Sequence, residues 1–239
     1  KKSNCKEART MAGTFQAKYS IDCLRISPDE DYVLCTQSKL NGATWGGRID
    51  VLNVSESMKR TSASEMSSGV TSADWMDNSM FVAGTDDGIV QIYRFDPDAL
   101  KLKLTTALNQ HDRIVSSVAA KKEHVLSASH DGLIHLWSIS STLPSSVKAT
   151  FRGHHDAVHD VRWFEKDENQ FVSVGNEGLA FTWDTRSGSK SSCIRFDSDG
   201  ILCVDVSQQN LVAVGMESGA IEVRDRRFLS STKQVLYRD

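Results

Sequence analysis

Histidine offers this chain its widest choice of chemistry. Three of the seven histidines crowd into one stretch, as His154, His155 and His159. On a helix, His155 and His159 would share a face and could present two imidazoles to a metal ion. Here they follow Gly153 and run into the alternation V-H-D-V-R-W, which reads as the start of a strand and turns neighbouring side chains to opposite faces. No metal site is expected from them, and no cofactor. A second constellation has the composition of a hydrolytic triad: His111, Ser127 and Asp131, echoed by His154, Ser173 and Glu177. Each set is followed by a tryptophan, Trp137 or Trp183, whose indole N–H needs an acceptor when buried. A carboxylate that orients an imidazole, which bonds a hydroxyl, which takes an indole proton, is a way to pair buried donors. The chain has no G-x-S-x-G elbow, no phosphate-cradling G-x-x-x-x-G-K-[ST], no H-E-x-x-H and no paired-cysteine zinc pattern. Both sets therefore read as structural hydrogen-bond sets, and the chain as no enzyme.

The elements that position them repeat. Five segments share one ending, a turn glycine followed by a short strand: G-R-I-D-V-L from Gly47, G-I-V-Q-I-Y from Gly88, G-L-I-H-L-W from Gly132, G-L-A-F-T-W from Gly178 and G-A-I-E-V-R from Gly219. The glycines fall 41, 44, 46 and 41 residues apart. An apolar strand precedes each, and an alternating one precedes that, for example Val161-Arg162-Trp163 before Phe171-Val172-Ser173. A four-strand unit of about 40–45 residues has the period of a propeller blade. One such sheet cannot cover both its faces alone, so blades pack side by side.

These residues resemble WD repeats. Trp183-Asp184 is the eponymous dipeptide, and Gly153-His154 is the glycine–histidine pair that opens such a repeat. The resemblance implies an all-β WD-repeat propeller with five recognisable blades, where complete rings of this kind have seven. It makes His111, Ser127, Asp131 and Trp137 the staple of the third blade, and His154, Ser173, Glu177 and Trp183 that of the fourth. Repeats one, two and five lack most of the set. Residues 1–12 read as an N-terminal arm and 13–239 as the propeller. Either five blades close on themselves or further blades complete the ring.

Composition narrows the partners. With 28 Lys and Arg against 31 Asp and Glu, the net charge of -3 argues against direct nucleic-acid binding. No apolar run is long enough to cross a membrane. Five cysteines without a C-x-x-C pair favour free thiols in a reducing compartment, and Cys23, Cys35 and Cys203, set in apolar runs, are expected to be buried. Leu100 to Leu104 alternates leucine with lysine, as a half-exposed outer strand would.

One stretch departs from the repeat. From strand start to turn glycine takes seven steps in repeats two to four and 15 in the first, from Tyr32 to Gly47. The insertion, Lys39 to Gly46, places Trp45 on a protruding loop with Gly46 and Gly47 freeing the backbone behind it, and Leu40 and Thr44 nearby. Such a tryptophan either folds back on the blade or serves as an interface anchor, a common use of tryptophan on a projecting loop. L-N-G-A-T-W-G-G-R-I-D-V-L (Leu40 to Leu52), with the stretches Gly69 to Tyr93 and His111 to Val118, resembles the WD-repeat subunits of methylosomes. That resemblance implies a cytoplasmic and nuclear scaffold that binds, through Trp45, Leu40 and Thr44, the arginine methyltransferase making symmetric dimethylarginine. Arginine-rich tails of splicing proteins or histones would be the substrates presented, steered by loop acids such as Asp86, Asp87 and Asp131. A rival reading starts from Trp183-Asp184-Thr185-Arg186, which resembles the box (Trp183, Asp184, Arg186) by which WD-repeat receptors engage the adaptor of cullin-type ubiquitin ligases.

Overall fold

The structure, a computed structural model, describes residues 13–41, 44–139, 145–196, 200–226 and 234–237. The arm expected at 1–12 lies outside them. Among the described residues, twenty strands form five four-stranded antiparallel sheets, each a simple meander. Blade 1 holds β1 (Ser20–Ile26), β2 (Tyr32–Asn41), β3 (Thr44–Asn53) and β4 (Lys59–Met66); blade 2 holds β5 (Val70–Trp75), β6 (Met80–Thr85), β7 (Ile89–Asp96) and β8 (Lys101–Asn109). Blade 3 holds β9 (Val115–Lys121), β10 (His124–Ser129), β11 (Leu133–Ser138) and β12 (Ser146–Arg152). Blade 4 follows with β13 (Val158–Trp163), β14 (Gln170–Gly175), β15 (Leu179–Asp184) and β16 (Ser189–Arg195), and blade 5 with β17 (Ile201–Val206), β18 (Leu211–Met216), β19 (Ile221–Asp225) and β20 (Gln234–Tyr237). The repeat in the sequence is thus five propeller blades in register.

The first strands of successive blades touch one another, β1 to β5 to β9 to β13 to β17, and so line the inside of the arc. Each carries a bulge at the same position, at Asp22, Thr71, Ser116, His159 and Leu202. The bulge turns a side chain toward the next blade. The Ser116 hydroxyl donates to the Val158 carbonyl at 2.6 Å, and the Thr71 hydroxyl does the same to Val115. Apolar packing does most of the joining. Leu34, Ile49 and Val51 of blade 1 close on Val70, Ala73 and Trp75 of blade 2, and the same pattern joins blade 4 to blade 5 through Val172, Val174 and Ala180 against Ile201 and Val204. Each junction gains about 25 cal/mol per Å² of apolar surface removed from water.

Four turn glycines are required by their backbones: Gly88, Gly132, Gly178 and Gly219 have φ of 86°, 81°, 71° and 83°, a region costly to any residue with a Cβ. Gly47 departs from the expectation. It is no turn glycine but lies inside the β2–β3 ladder, opposite Ser38. It is there because a Cβ would collide with the Ser68 carbonyl of the loop into blade 2. Two smaller expectations are also corrected. Cys203 is exposed. Leu100 sits in the turn before β8 and Leu104 is exposed, leaving Leu102 as the inward leucine of that run.

Candidate functional site

The Trp45 insertion is a β-ribbon, not a loop. The residue paired with the inner strand just before its bulge marks one level in all five blades: Gln37, Thr85, Ser129, Gly175 and Met216. Blades 2 to 5 turn just beyond that level. In blade 1 the ladder continues through Ser38–Gly47, Lys39–Gly46, Leu40–Trp45 and Asn41–Thr44. Four further residues at ~3.4 Å each lift the tip about 13 Å above the other turns. β1 stops opposite Ser38 and β4 opposite Gly47, so neither flanks the tip. Trp45 is 54% exposed there. Leu40 and Thr44 stand beside it in the ladder; their side chains lie outside the described residues.

The base of the ribbon is held by a buried electrostatic network. Asp50, on β3, is 0% exposed and accepts from Arg48 Nε at 2.9 and 3.0 Å and from Gln37 Nε2 at 2.5 Å. Arg48 also donates to Glu65, which takes Lys18 Nζ at 2.9 Å, while the Lys18 and Tyr19 amides donate to Gln37 Oε1. Burial works against the Arg48 charge, but the bonds to Asp50 and Glu65 outweigh it and raise the guanidinium above its ordinary range. A buried pair satisfied this fully holds strand geometry as well as charge. The ribbon therefore rises from a fixed platform.

All eight staple residues come together as their spacing requires. His111 Nδ1 lies 2.9 Å from Asp131 Oδ2 and Nε2 2.8 Å from Ser127 Oγ, which accepts from Trp137 Nε1 at 2.8 Å. In blade 4 the distances are 2.5 Å to Glu177, 2.7 Å to Ser173 and 2.7 Å from Trp183. Burial by itself would raise the Asp131 carboxyl, but the bonds from His111 and from the Leu133 and Asp112 amides hold it below the usual carboxylate range. Glu177 is lowered likewise, with His154 outweighing burial. The serine hydroxyls, 0% exposed, are spent on imidazole and indole and meet no open space where a substrate carbonyl could sit.

Blades 1, 2 and 5 fill the same place differently. Ser127 and Ser173 correspond in register to Cys35, Ala83 and Val214, and the third-strand pair in the place of His135–Trp137 is Asp50–Leu52 in blade 1, where Asp50 takes Arg48 two residues before it, Gln91–Tyr93 in blade 2 and Glu222–Arg224 in blade 5. Tyr93 Oη donates to Gln91 Oε1 at 2.7 Å; Arg224 Nε donates to Glu222 Oε1 at 2.7 Å and its guanidinium stacks 4.3 Å from the Phe196 ring centroid. These sets escape a motif search. Their signal is a polar pair two residues apart inside an otherwise apolar strand.

The remaining candidates separate. His154 belongs to its staple, His155 is exposed, and His159 meets His130 edge-on at 5.4 Å. Among the described residues no three His, Cys, Asp or Glu side chains converge as metal ligands would. His130 and His155, with Asp112, Arg113 and Asp156, line a polar cleft of about 490 Å³ on the same end as the ribbon. Asp86 accepts from the Gly69 amide at 2.9 Å, and burial raises its carboxyl, with Asp87 and Asp22 adding to the effect. Asp131 is taken by His111. In the Trp183-Asp184-Thr185-Arg186 box, Trp183 is fully buried, and Arg186, exposed, is held by Asp184 at 2.5 and 2.9 Å.

Compared with known families, residues 57–94, 102–138 and 145–184 match the WD domain, G-beta repeat, each span taking the outer strand of one blade and the first three strands of the next, from β4 through β15. The chain is a WD-repeat protein. Its similarity to individual members is distant. It is 24% identical over 201 residues to Methylosome protein WDR77 of Xenopus laevis, covering 80% of this chain and 60% of that one. It is 25% identical over 240 residues to the ribosome biogenesis protein YTM1 of Phaeosphaeria nodorum, covering 84% and 50%, and 36% identical over 102 residues to the WDR12 homolog of Caenorhabditis briggsae, covering 41% and 22%. This WD-repeat chain thus spans 60% or less of the length of these relatives. The family, with serines and histidines spent on staples, makes it a protein-interaction scaffold.

Proposed function

We propose that this scaffold binds the arginine methyltransferase that makes symmetric dimethylarginine, using the blade 1 ribbon as its anchor, and presents arginine-rich proteins to it in cytoplasm and nucleus. The observation that carries the reading is the exposed Trp45, on the third of the four extra rungs and so about 10 Å beyond the level at which the other blades turn, on a base held by Arg48 and Asp50. A large apolar ring held out rigidly loses little entropy on docking, which is what makes tryptophan a frequent hot spot. The ribbon sequence L-N-G-A-T-W-G-G-R-I-D-V-L and the similarity to Methylosome protein WDR77 favour a methyltransferase over other partners. Ribosome-biogenesis relatives at similar identity favour a different assembly, and the exposed Arg186 favours a ligase adaptor. Tethering raises the effective concentration of substrate near an enzyme whose chemistry lies elsewhere.

The test is capture from cell extract with wild-type chain and Trp45→Ala, alongside melting of both. Recovery of the methyltransferase, weakened by roughly 2–4 kcal/mol in the variant at unchanged melting temperature, is expected. Recovery of ribosome-assembly proteins or a ligase adaptor instead would replace the partner. Intact capture with a lowered melting temperature would make Trp45 a core residue.

A further inference from the structure

The staples of blades 3 and 4 also place the residues that follow them. His111 and His154 each bond the serine of their own blade, so the loop His111-Asp112-Arg113 is the counterpart of His154-His155-Asp156 one blade on. Locking the two histidines inside puts Asp112, Arg113, His155 and Asp156 on the rim, and all four are exposed. The turn between β10 and β11 closes the space between the loops. There Gly132, at φ 81°, passes close under the second loop: a Cβ on it would stand 3.4 Å from the Asp156 carbonyl. The result is the polar cleft of about 490 Å³, walled by three separate segments of chain.

Its charges are unbalanced. Three carboxylates, Asp112, Asp131 and Asp156, line it against one guanidinium, Arg113. Asn176 Nδ2 at 2.8 Å, and then the Ala157 amide at 2.7 Å, hold the Asp156 carboxyl below its ordinary range. Against the pull of burial, the His111 bond keeps Asp131 low too. The Asp112 loop is fixed by the 3.1 Å bond from its amide to Asp131, which leaves its carboxylate at the mouth. The imidazoles do not restore the balance. Burial first, then His159 and Arg113 beside it, pushes His130 below the ordinary histidine range, so it presents an uncharged ring. His159, at the bulge of β13, backs that ring edge-on at 5.4 Å.

Carboxylates on all three segments and a flat ring among them suit a planar cation. A guanidinium bonds two carboxylates through its fork and lays its face on a ring, where a lysine ammonium offers only a point charge. We infer that this cleft binds an arginine side chain of an extended peptide. That the peptide belongs to a presented arginine-rich protein rests on the function proposed above; the guanidinium site itself does not. Arg113 opposes such a ligand, and its removal should therefore help binding.

Calorimetric titration of the full chain with a blocked Gly-Arg-Gly-Arg-Gly peptide, and with its lysine and glutamate counterparts, tests this. No methyltransferase is present, so the outcome is separate from that of the capture experiment. The arginine peptide should bind more tightly than the lysine one, and the glutamate peptide should not bind. Asp112→Asn and Asp156→Asn should each weaken binding about fivefold, and Arg113→Gln should strengthen it by a similar factor. These positions are exposed, so melting should match the wild type. Asp98→Asn, in the turn between β7 and β8 at the opposite end, should bind as the wild type does. Weaker binding by Arg113→Gln, or a preference for the glutamate peptide, would make the cleft an anion site and overturn the inference. So would absent binding, a lysine peptide bound equally well, or an equal loss in Asp98→Asn.

Discussion

Ser127→Ala puts the third-blade staple to a quantitative test. The Ser127 hydroxyl is completely buried and is the meeting point of two bonds, at 2.8 Å from His111 Nε2 and 2.8 Å from Trp137 Nε1. Its removal leaves an indole N–H and an imidazole nitrogen without partners in a site from which water is excluded. At about 1–2 kcal/mol for each orphaned group the loss is about 2–4 kcal/mol, and the cavity left by one oxygen adds little. For a chain of this size, where 1 kcal/mol moves the midpoint roughly 2–4 °C, the melting temperature should drop by roughly 4–16 °C. Trp137→Phe removes the donor from the other side. Combined with Ser127→Ala, it should cost less than the sum of the two, by roughly 0.5–3 kcal/mol of coupling. Scanning calorimetry of the four proteins measures the cycle. A Ser127→Ala melting temperature equal to the wild type, or strictly additive losses, would refute the claim that the hydroxyl pairs both groups.

His135 lies buried against His111, and burial first, then the neighbouring imidazole, pushes its pKa down to about 4. The unfolded chain takes up a proton below the ordinary 6.5 while the folded one resists it, so stability should be complete above that pH and fall towards pH 4. His135→Phe, which installs the residue blade 4 has at this position (Phe181), should flatten that decline in urea midpoints. Asp50→Ala strands Arg48 and Gln37 in a buried site and should cost about 3–5 kcal/mol in denaturant titrations. Gly47→Ala forces the ribbon base away from the Ser68 carbonyl and should cost about 1–3 kcal/mol, with a change in Trp45 fluorescence reporting the displaced tip.

The architecture was legible because it is periodic. Alternation marked the strands, and glycine at 88, 132, 178 and 219 marked turns that need positive φ. The blade 3 and blade 4 staples were legible because their residue types are rare enough to recognise at fixed spacing. Gly47 misled for a physical reason: a glycine needed for close approach reads like one needed for a turn. The Arg48–Asp50 and Glu222–Arg224 pairs were hidden because charged residues on alternating strand positions resemble a solvated face, and only the register shows that face to be interior. Cys203 was misjudged because a strand's own composition does not tell whether a neighbouring sheet covers it.

The variety of third-strand pairs has a consequence for how the chain reaches its native state. Five similar repeats risk docking out of order, since any blade could nucleate against any other. Imidazole on indole, phenyl on indole, phenol on amide, a carboxylate beside a leucine and an ion pair make those encounters unequal. Setting Asp50 where Phe181 belongs would bury a carboxylate with no guanidinium to meet it, a mismatch of several kcal/mol that sends the pair apart again. The pairs therefore number the blades, and the chain can assemble along its length with few deep misfolded traps.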